Sequence, residues 1–239
     1  IEACDRIKER MAVFAAGKVL DGEGPGDICF EDGHVFFRGQ AGRRIEFEEL
    51  ADRARRDRVD LGARGFFATP GLDFDPESGR GTPFRYYTTG CAVAEVAIDR
   101  WTGEIRTRRA DLLMDIGRPI NPGIDRGQVI GGFVQGLGWV TTEELVYDER
   151  GVRLSTGPST YKIPDCTDIP SDFRVAFMDN DRNEQNIYRS KGMGEPPLLL
   201  AVSVWAAVKH ALSCMAPGEP ADLDLPATSE RVLTALRRS

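Results

Sequence analysis

Histidine and paired cysteine are scarce in this sequence. It contains two histidines, His34 and His210, and five cysteines that lie far apart, with no CxxC pair. An odd number of separated cysteines argues against a disulfide framework, and two imidazoles are too few to complete a zinc cluster. Free thiols are typical of a reducing compartment, so we expect a cytoplasmic protein whose own side chains ligate no metal.

An excess of positive charge and a membrane-length apolar run are also missing. The 31 Lys and Arg residues are outnumbered by 38 Asp and Glu residues, which gives a formal net charge of −7. This balance provides no long-range attraction to nucleic-acid phosphates or anionic lipids, so we expect no nucleic-acid partner. The longest apolar stretch, residues 198–208, is shorter than the roughly 20 residues of a membrane-spanning helix, and we expect no membrane span.

Motifs that would identify several common catalytic classes do not occur. There is no GxxxxGK followed by Ser or Thr, no HExxH and no GxSxG, and the glycines around residue 131 do not match GxGxxG. The sequence therefore gives no support for a P-loop, an HExxH zinc protease, a serine hydrolase or a dinucleotide-binding site. The chain begins with Ile1 rather than Met, and we expect it to be part of a longer protein.

Hydrophobic periodicity predicts an α+β fold of mixed sheets with helices packed on them. Helices are predicted at 2–16, 47–59, 127–144, 196–215 and 229–236. Strands are predicted in a short hairpin within 21–42, in a long hairpin formed by 86–99 and 105–116, and at 173–178. Residues 65–82 are rich in Gly, Pro and Asp, which is typical of an irregular segment. We therefore expect an N-terminal helical and irregular segment at 1–82 and an α+β domain at 83–239.

Three glycines interrupt the helix predicted at 127–144. Gly132, Gly136 and Gly138 share this helix, where each glycine costs about 1 kcal/mol relative to alanine. A helix that contains three of them needs compensation, and close approach of a neighbouring segment provides it. We therefore expect a tightly packed partner against this helix.

Glu195 is the most informative single residue. It lies in Gly192-Met193-Gly194-Glu195-Pro196-Pro197, directly before the most apolar helix predicted in the chain. Burial at such a site would raise the pKa of the carboxyl and suit a general acid or base, whereas the helix dipole would stabilise the ionised form. Simple electrostatic stabilisation of the helix N-terminus explains the same residue, and the residues alone leave both interpretations open.

Other polar residues are compatible with chemistry or with packing. Gln128 and Gln135 offer a donor and an acceptor each, but amides on a helix are most often ordinary packing or surface groups. The two histidines are interpreted as packing residues rather than catalytic ones. A glycosidase-like carboxylate pair from Glu143, Glu144 and Glu195 lacks any feature that fixes its separation.

An ordered series of motifs resembles the C-terminal part of the molybdenum subunit of xanthine dehydrogenases. The series comprises Asp115-Ile116-Gly117, Ile120-Asn121-Pro122-Gly123-Ile124-Asp125, residues 127–138, Glu143-Glu144-Leu145, residues 158–164, Ile169-Pro170, Phe173-Arg174-Val175 and residues 190–198. The resemblance is strong over 83–212, fair over 1–16 and 65–82, and weak over 21–60. It implies the α+β fold of a molybdopterin-binding domain.

The resemblance also implies roles for three residues. Glu195 matches the general base of the family, which takes a proton from a molybdenum-bound hydroxyl before the oxygen attacks an electron-poor carbon and hydride passes to a sulfido ligand. Gln128 matches a hydrogen-bonding residue at the molybdopterin cofactor, and Gly194 would lie against the metal centre. The implied function is hydroxylation of purines such as hypoxanthine or xanthine at that centre, and Ser159 and Tyr161 favour the purine branch of the family.

The family implies partners that this sequence does not supply. Most cofactor loops, a substrate-orienting Arg, a second Glu and an aromatic pair lie upstream in the family, and iron–sulfur clusters and FAD lie on other domains or subunits. We therefore expect the chain alone to be inactive and to bind the cofactor only together with the rest of the molybdenum subunit. The alternatives are another molybdenum hydroxylase acting on aldehydes, nicotinate or carbon monoxide, and a non-catalytic module that binds a partner subunit.

Overall fold

The computed structural model describes residues 1–21, 24–215 and 221–238 of the chain. These residues form two compact units, Ile1–Arg85 and Tyr86–Ser239. Both units contain helices and sheets, and the sheet of the second unit is mixed, so the predicted α+β class is confirmed.

The first unit packs two helices on a small antiparallel sheet. Helix α1 (Glu2–Lys18) is followed by a 3₁₀ turn (Pro25–Asp27), strands β1 (Ile28–Glu31), β2 (His34–Phe37) and β3 (Arg44–Glu46), and helix α2 (Phe47–Arg56). The sheet has the order β1-β2-β3, with both pairs antiparallel. Met11, Leu50 and Val35 are buried together in its core because apolar residues recur at helical spacing in α1 and α2 and at alternate positions in β2.

Strands β6 and β7 dominate the second unit. After a short hairpin of β4 (Asp73–Asp75) and β5 (Arg80–Thr82) in the first unit, β6 (Thr89–Ile98) and β7 (Ile105–Asp115) form the long antiparallel hairpin that the sequence predicts. Its turn is closed by the Asp99 carboxylate, which accepts hydrogen bonds from the Trp101 and Thr102 amides at 2.7 and 3.1 Å. Strand β8 (Asp172–Phe177) then pairs with β7 in parallel.

The two faces of this sheet differ in polarity because alternate residues of a strand point to opposite faces. Ala110, Leu112 and Met114 of β7 are buried against the helices. Arg109 and Asp111 point to the other face and pair at 2.6 Å, and the exposed Leu113 follows them there. This alternation places the helices on one face of the sheet.

The helices of the second unit are α3 (Pro122–Thr141), α4 (Pro197–Leu200), α5 (Val202–Met215) and α6 (Ser229–Arg238). Phe133 of α3 and Val204 of α5 belong to the same buried cluster as Met114 of β7. A parallel β-β connection requires a long crossover, and α3 lies on the crossover between β7 and β8.

Several element boundaries differ from the sequence-based expectations. Helix α3 begins at Pro122 rather than 127, because Asn121 caps it and a proline at the first helical position has no amide to leave unpaired. The helix predicted at 196–215 is divided into α4 and α5. Residues 65–82, expected to be irregular, contain the β4–β5 hairpin.

The helical stretch Pro197–Met215 is long and apolar enough, by length and composition, to cross a membrane, and 22% of it is buried. Val204, Val208 and Leu212 are its buried residues within α5, and they pack against the sheet and against α6. A core helix passes the same test, and the absence of a membrane span stays a prediction.

Candidate cofactor surface

The first turn of α3 is fixed by two reciprocal hydrogen bonds. The Asn121 side chain accepts from the Ile124 amide at 3.2 Å, and the buried Asp125 carboxylate accepts from the Asn121 amide at 3.1 Å. Each bond pairs an amide that the helix itself leaves without a partner. Gln128 lies about one turn further along α3. Because the cap fixes the start of the helix, it also determines the position of Gln128.

Helix α3 and the segment around α4 are in backbone contact. A Cβ added at Gly132 would lie 3.1 Å from the Gly194 carbonyl oxygen, and one added at Gly136 would overlap the Leu198 carbonyl group. At Gly136 only glycine leaves room for this approach, and at Gly132 a side chain would crowd it. The predicted close partner of the glycine-bearing helix is therefore the segment that carries Gly194 and Glu195.

The loop before α4 is joined to the end of β7 by a buried ion pair. Lys191 Nζ lies 2.7 Å from Asp115 Oδ2, and the side chains are 12% and 10% exposed. Asn180 donates a hydrogen bond to the same carboxylate oxygen at 2.8 Å, and the Gly117 amide donates to the other oxygen at 3.1 Å. The carboxylate is thus fully hydrogen-bonded although water hardly reaches it.

These partners determine the protonation of Asp115. Burial by itself raises the pKa of the carboxyl, but hydrogen bonds from Lys191, the Gly117 amide and Asn180, together with the Lys191 charge, outweigh it and hold the pKa below its ordinary value of 3.8. Asp115 is therefore ionised near neutral pH and paired with a charged lysine.

Backbone hydrogen bonds continue this attachment on both sides of Lys191. The Lys191 amide donates to the Ile116 carbonyl at 2.8 Å, and the Gly192 amide donates to the Tyr86 hydroxyl at 3.0 Å. The Thr88 hydroxyl donates to the Gly192 carbonyl at 2.5 Å. The loop is therefore held by β7 and by the residues at the start of β6.

The three residues that the sequence singles out lie together on one surface. Gln128 Oε1 is 3.7 Å from the position that a Cβ of Gly194 would occupy, and Glu195 follows directly. All three residues are exposed. Gly127 and Gly131, on the same part of α3, have open space where a Cβ would project. We call this surface, formed by Gln128, Gly194 and Glu195, the cofactor surface.

Glu195 lies at the surface of this chain, where the resemblance implies that other parts of the molybdenum subunit complete the site. The residue is exposed, and the cavities described below do not include it. Burial of a carboxylate requires walls on several sides, and α3 and α4 provide one side only. The role of Glu195 as a base stays a prediction.

Sequence reasoning assigned no role to Asp115, Lys191 and Asn180. The first two belong to the motifs Asp115-Ile116-Gly117 and Ser190-Lys191-Gly192 that carry the resemblance. Each motif contains one charged residue and ends in a glycine, but nothing within either motif predicts that the two charges pair. A separation of 76 residues hides their contact until the fold is known.

The other two carboxylates considered for a catalytic pair, Glu143 and Glu144, and the loop that contains Tyr161 lie near the C-terminal end of α3. Glu143 accepts a hydrogen bond from the Tyr161 hydroxyl at 2.5 Å, and Glu144 pairs with Arg231 at 2.6 Å. The Glu143 carboxylate lies beside Gly138 of α3, which is six residues or about 9 Å along the helix axis from Gly132. Glu143 and Glu144 thus have partners of their own, Tyr161 and Arg231.

The two histidines take part in local contacts. His34 Nε2 lies 3.0 Å from Glu46 Oε1 across the β2–β3 pair. His210 Nε2 lies 3.9 Å from Cys214 Sγ, one turn further along α5. All five cysteines are free thiols. Within residues 1–21, 24–215 and 221–238, no group of three or more His, Cys, Asp or Glu side chains is arranged to hold a metal ion.

The largest of the described cavities is remote from the cofactor surface. Its volume is about 700 Å³, and it lies between the start of β7, the C-terminal end of α3 and the loop that contains Lys162. Two smaller cavities of the second unit, of about 400 and 360 Å³, lie beside Tyr161 and beside Arg231.

Comparison with known proteins gives one family. The model of the molybdopterin cofactor-binding domain matches residues 1–170. Xanthine dehydrogenase of Oryza sativa subsp. japonica is 44% identical over 205 residues, which are 81% of this chain and 15% of that protein. The chain therefore spans about 15% of the length of this curated relative.

Solved structures share the fold over nearly the whole chain. Quinoline 2-oxidoreductase from Pseudomonas putida 86 matches 99% of this chain and 29% of its own with a TM-score of 0.69 and 26% identity. CO dehydrogenase from Oligotropha carboxidovorans matches 99% of this chain and 28% of its own with a TM-score of 0.70 and 23% identity.

Proposed function

Because the chain belongs to the molybdopterin cofactor-binding domain family of the xanthine dehydrogenase type, we propose that it forms one wall of the active site of a molybdenum hydroxylase. The remaining walls come from other parts of the molybdenum subunit. The observation that carries the proposal is that Gln128 lies on one exposed surface with Gly194 and Glu195, which follow it by 66 and 67 residues in the sequence.

The cofactor surface fits a large polar group that another part of the protein also contacts. Gln128 presents an amide that can donate and accept hydrogen bonds, and the bare backbone at Gly194 lets a bulky group approach closely. Gly127 and Gly131 leave the adjoining face of α3 open. Gln128 and Gly194 are therefore the residues of this chain that would hold the molybdopterin cofactor.

The residues of this chain then have distinct tasks. The bound cofactor supplies the oxidant that accepts an electron pair from the substrate carbon. Gln128 would orient the cofactor through its amide. Gly194, which has no side chain, would leave room for the cofactor to approach the backbone. Glu195 accepts a proton through its carboxylate oxygens and holds it away from the reacting atoms. A carboxylate on a loop fixed at both ends suits this task because proton transfer depends on position.

Enclosure of Glu195 follows from the same proposal. The carboxylate is exposed in this chain. Contact with the rest of the molybdenum subunit would exclude water from Glu195 and from the reacting atoms beside it. The proposed partners are therefore that remainder, together with domains or subunits that carry iron–sulfur clusters and FAD.

The proposed substrate is a purine of the hypoxanthine or xanthine type. The identity of 44% to a xanthine dehydrogenase over 81% of the chain supports this choice. The alternative is another molybdenum hydroxylase, and the fold similarity to quinoline 2-oxidoreductase and CO dehydrogenase keeps that alternative in place. Assay of the complete enzyme with xanthine, an aldehyde, nicotinate and carbon monoxide separates these substrates.

Replacement of the base tests the proposed function. In the complete molybdenum enzyme, Glu195→Gln is expected to lower kcat by about 10²- to 10⁴-fold, since the amide cannot accept the proton. Molybdenum content, measured in the same sample, is expected to stay unchanged. Glu184→Gln, at an exposed carboxylate of the preceding loop, is the matched control and should keep wild-type turnover. Normal turnover of the Glu195→Gln enzyme would contradict the proposal.

A further inference from the structure

The buried ion pair of Asp115 and Lys191 is the feature of the second unit that the proposed function does not use. Among the ion pairs of the described chain, this pair alone has both side chains nearly nine-tenths buried, at 10% and 12% exposure. A buried pair is often no more stabilising than apolar residues of the same size, because both charges lose water. What the pair contributes is therefore the position in which it holds the loop before α4.

The pair lies where two segments of the site begin. Asp115 is the last residue of β7, and Lys191 is four residues before Glu195. The adjoining backbone forms a short bridge between Gly117 and Ser190, in which the Arg118 amide donates to the Arg189 carbonyl at 3.2 Å. Gly117 has a φ of 64°, and a Cβ there would overlap the Arg189 carbonyl oxygen. The ion pair thus fastens the loop to the sheet at a point of backbone contact.

Three attachments then determine where Glu195 lies. Lys191 fixes one end of the loop, Tyr86 and Thr88 fix Gly192, and Gly132 contacts the Gly194 carbonyl. The Glu195 side chain is itself exposed. Its position in this chain is therefore set through the backbone that precedes it.

We propose that Asp115 and Lys191 are positioning residues that hold Gly194 and Glu195 in register with Gln128. The inference rests on the proposed function of Glu195. The charges act through the loop: their attraction, strengthened where water is excluded, keeps Lys191 at the end of β7. Loss of the pair lets the loop between Ser190 and Glu195 shift, and a displacement near 1 Å at a reacting group lowers turnover about 10²-fold.

The test compares two variants of the complete molybdenum enzyme. Lys191→Met removes the charge with little change in length, and the Asp115 carboxylate keeps its bonds from Gly117 and Asn180. Asp115→Asn combined with Lys191→Met leaves no unpaired charge while an oxygen acceptor remains, so its stability should return toward that of the wild type. Asp181→Asn removes the exposed Arg189–Asp181 pair next to the same loop and is the control.

Turnover per bound molybdenum and hydrogen exchange of the peptide containing residues 190–195 are measured together. We expect both Lys191 variants to lose about 10²-fold in kcat with KM changed less than about threefold, and to exchange that peptide faster than the wild type or Asp181→Asn. A purely structural pair would instead give the double variant wild-type kcat. Wild-type kcat or wild-type exchange in the double variant would overturn the inference. If Lys191→Met does not fold, the double variant is the decisive one.

The Glu195→Gln enzyme separates this inference from the proposed function. If Glu195→Gln keeps normal turnover, the proposed function fails, while the exchange of residues 190–195 still reports whether the ion pair fixes the loop. If Glu195→Gln loses turnover and the double variant does not, only the positioning role is wrong.

Discussion

Asp115 is a single residue whose charge couples stability to pH. The pKa of its carboxyl is held below 3.8 in the folded chain, so the folded state binds this proton less readily than the unfolded state does. The stabilisation from Asp115 is therefore fully present above about pH 3.8, the ordinary value, and is lost as the pH falls through the lower folded-state pKa.

Asp115→Asn is expected to lower the free energy of unfolding at pH 7 by about 3–5 kcal/mol, because Lys191 keeps its charge in a buried place without a charged partner. The difference from the wild type should narrow below about pH 3.8, where the wild-type carboxyl also takes up a proton. Urea unfolding between pH 7 and 3 measures both effects. Asp181→Asn, at an exposed pair, should cost at most about 1 kcal/mol.

The family resemblance gives predicted roles to the residues of the cofactor surface but none to those that support them. Glu195, Gln128 and Gly194 stand in motifs with unusual local chemistry: a carboxylate between glycine and proline, and an amide in a glycine-bearing helix. Asp115 and Lys191 have no such local signature. Their pairing depends on the return of the chain to the end of β7, which a linear pattern does not contain.

The helix α3 is the element that aligns the cofactor surface. Its three packed glycines, Gly132, Gly136 and Gly138, are buried, whereas Gly131 is exposed with open space around it. The same residue type thus has opposite roles within one helix turn. In the buried positions the missing side chain is required, and in the exposed position it only weakens the helix.

Gly136→Ala is expected to destabilise the chain by about 1–3 kcal/mol, because the new methyl group would overlap the Leu198 backbone. Gly131→Ala is the matched control and should stabilise the chain by up to about 1 kcal/mol through helix propensity. Thermal or urea unfolding of the purified variants gives both values. Equal effects of the two substitutions would contradict the packing described for α3.

Long elements could be predicted from periodicity, and short ones could not. The β6–β7 hairpin has ten and eleven residues in its strands, enough for alternation to be evident. Strands β3, β4 and β5 have three residues each, which is too few for a repeating pattern. Helix α3 begins five residues before its predicted start because Asn121 and Pro122, rather than apolar spacing, define its first turn.

At the scale of the whole molecule, the described residues form three hydrophobic clusters, one in the first unit and two in the second. The first unit has its own core around Met11 and Leu50, and the second has clusters around Phe133 and around Val208. The sequence predicted the fold class because each unit obeys simple alternation and helical spacing. It could not predict the exposure of Glu195, since burial of that carboxylate depends on surfaces that a single stretch of sequence does not describe.

The purified 239-residue chain is expected to contain no molybdenum and to show no turnover of xanthine. The reason is that the proposed cofactor residues form one exposed wall, and the chain spans about 15% of the length of its curated relative. Metal analysis of the chain produced in a host that makes the cofactor, with the complete enzyme prepared in parallel, checks this. Stoichiometric molybdenum in the chain alone would show that one wall suffices.

The contact between Gly132 and the Gly194 carbonyl has a consequence for how this site can diversify. Because the two main chains meet here without a side chain between them, a larger residue at Gly132 would change the spacing of the backbones that carry Gln128 and Glu195. Enzymes built on this frame would therefore acquire new preferences through amino-acid changes elsewhere in the active site, while the frame itself remains the same.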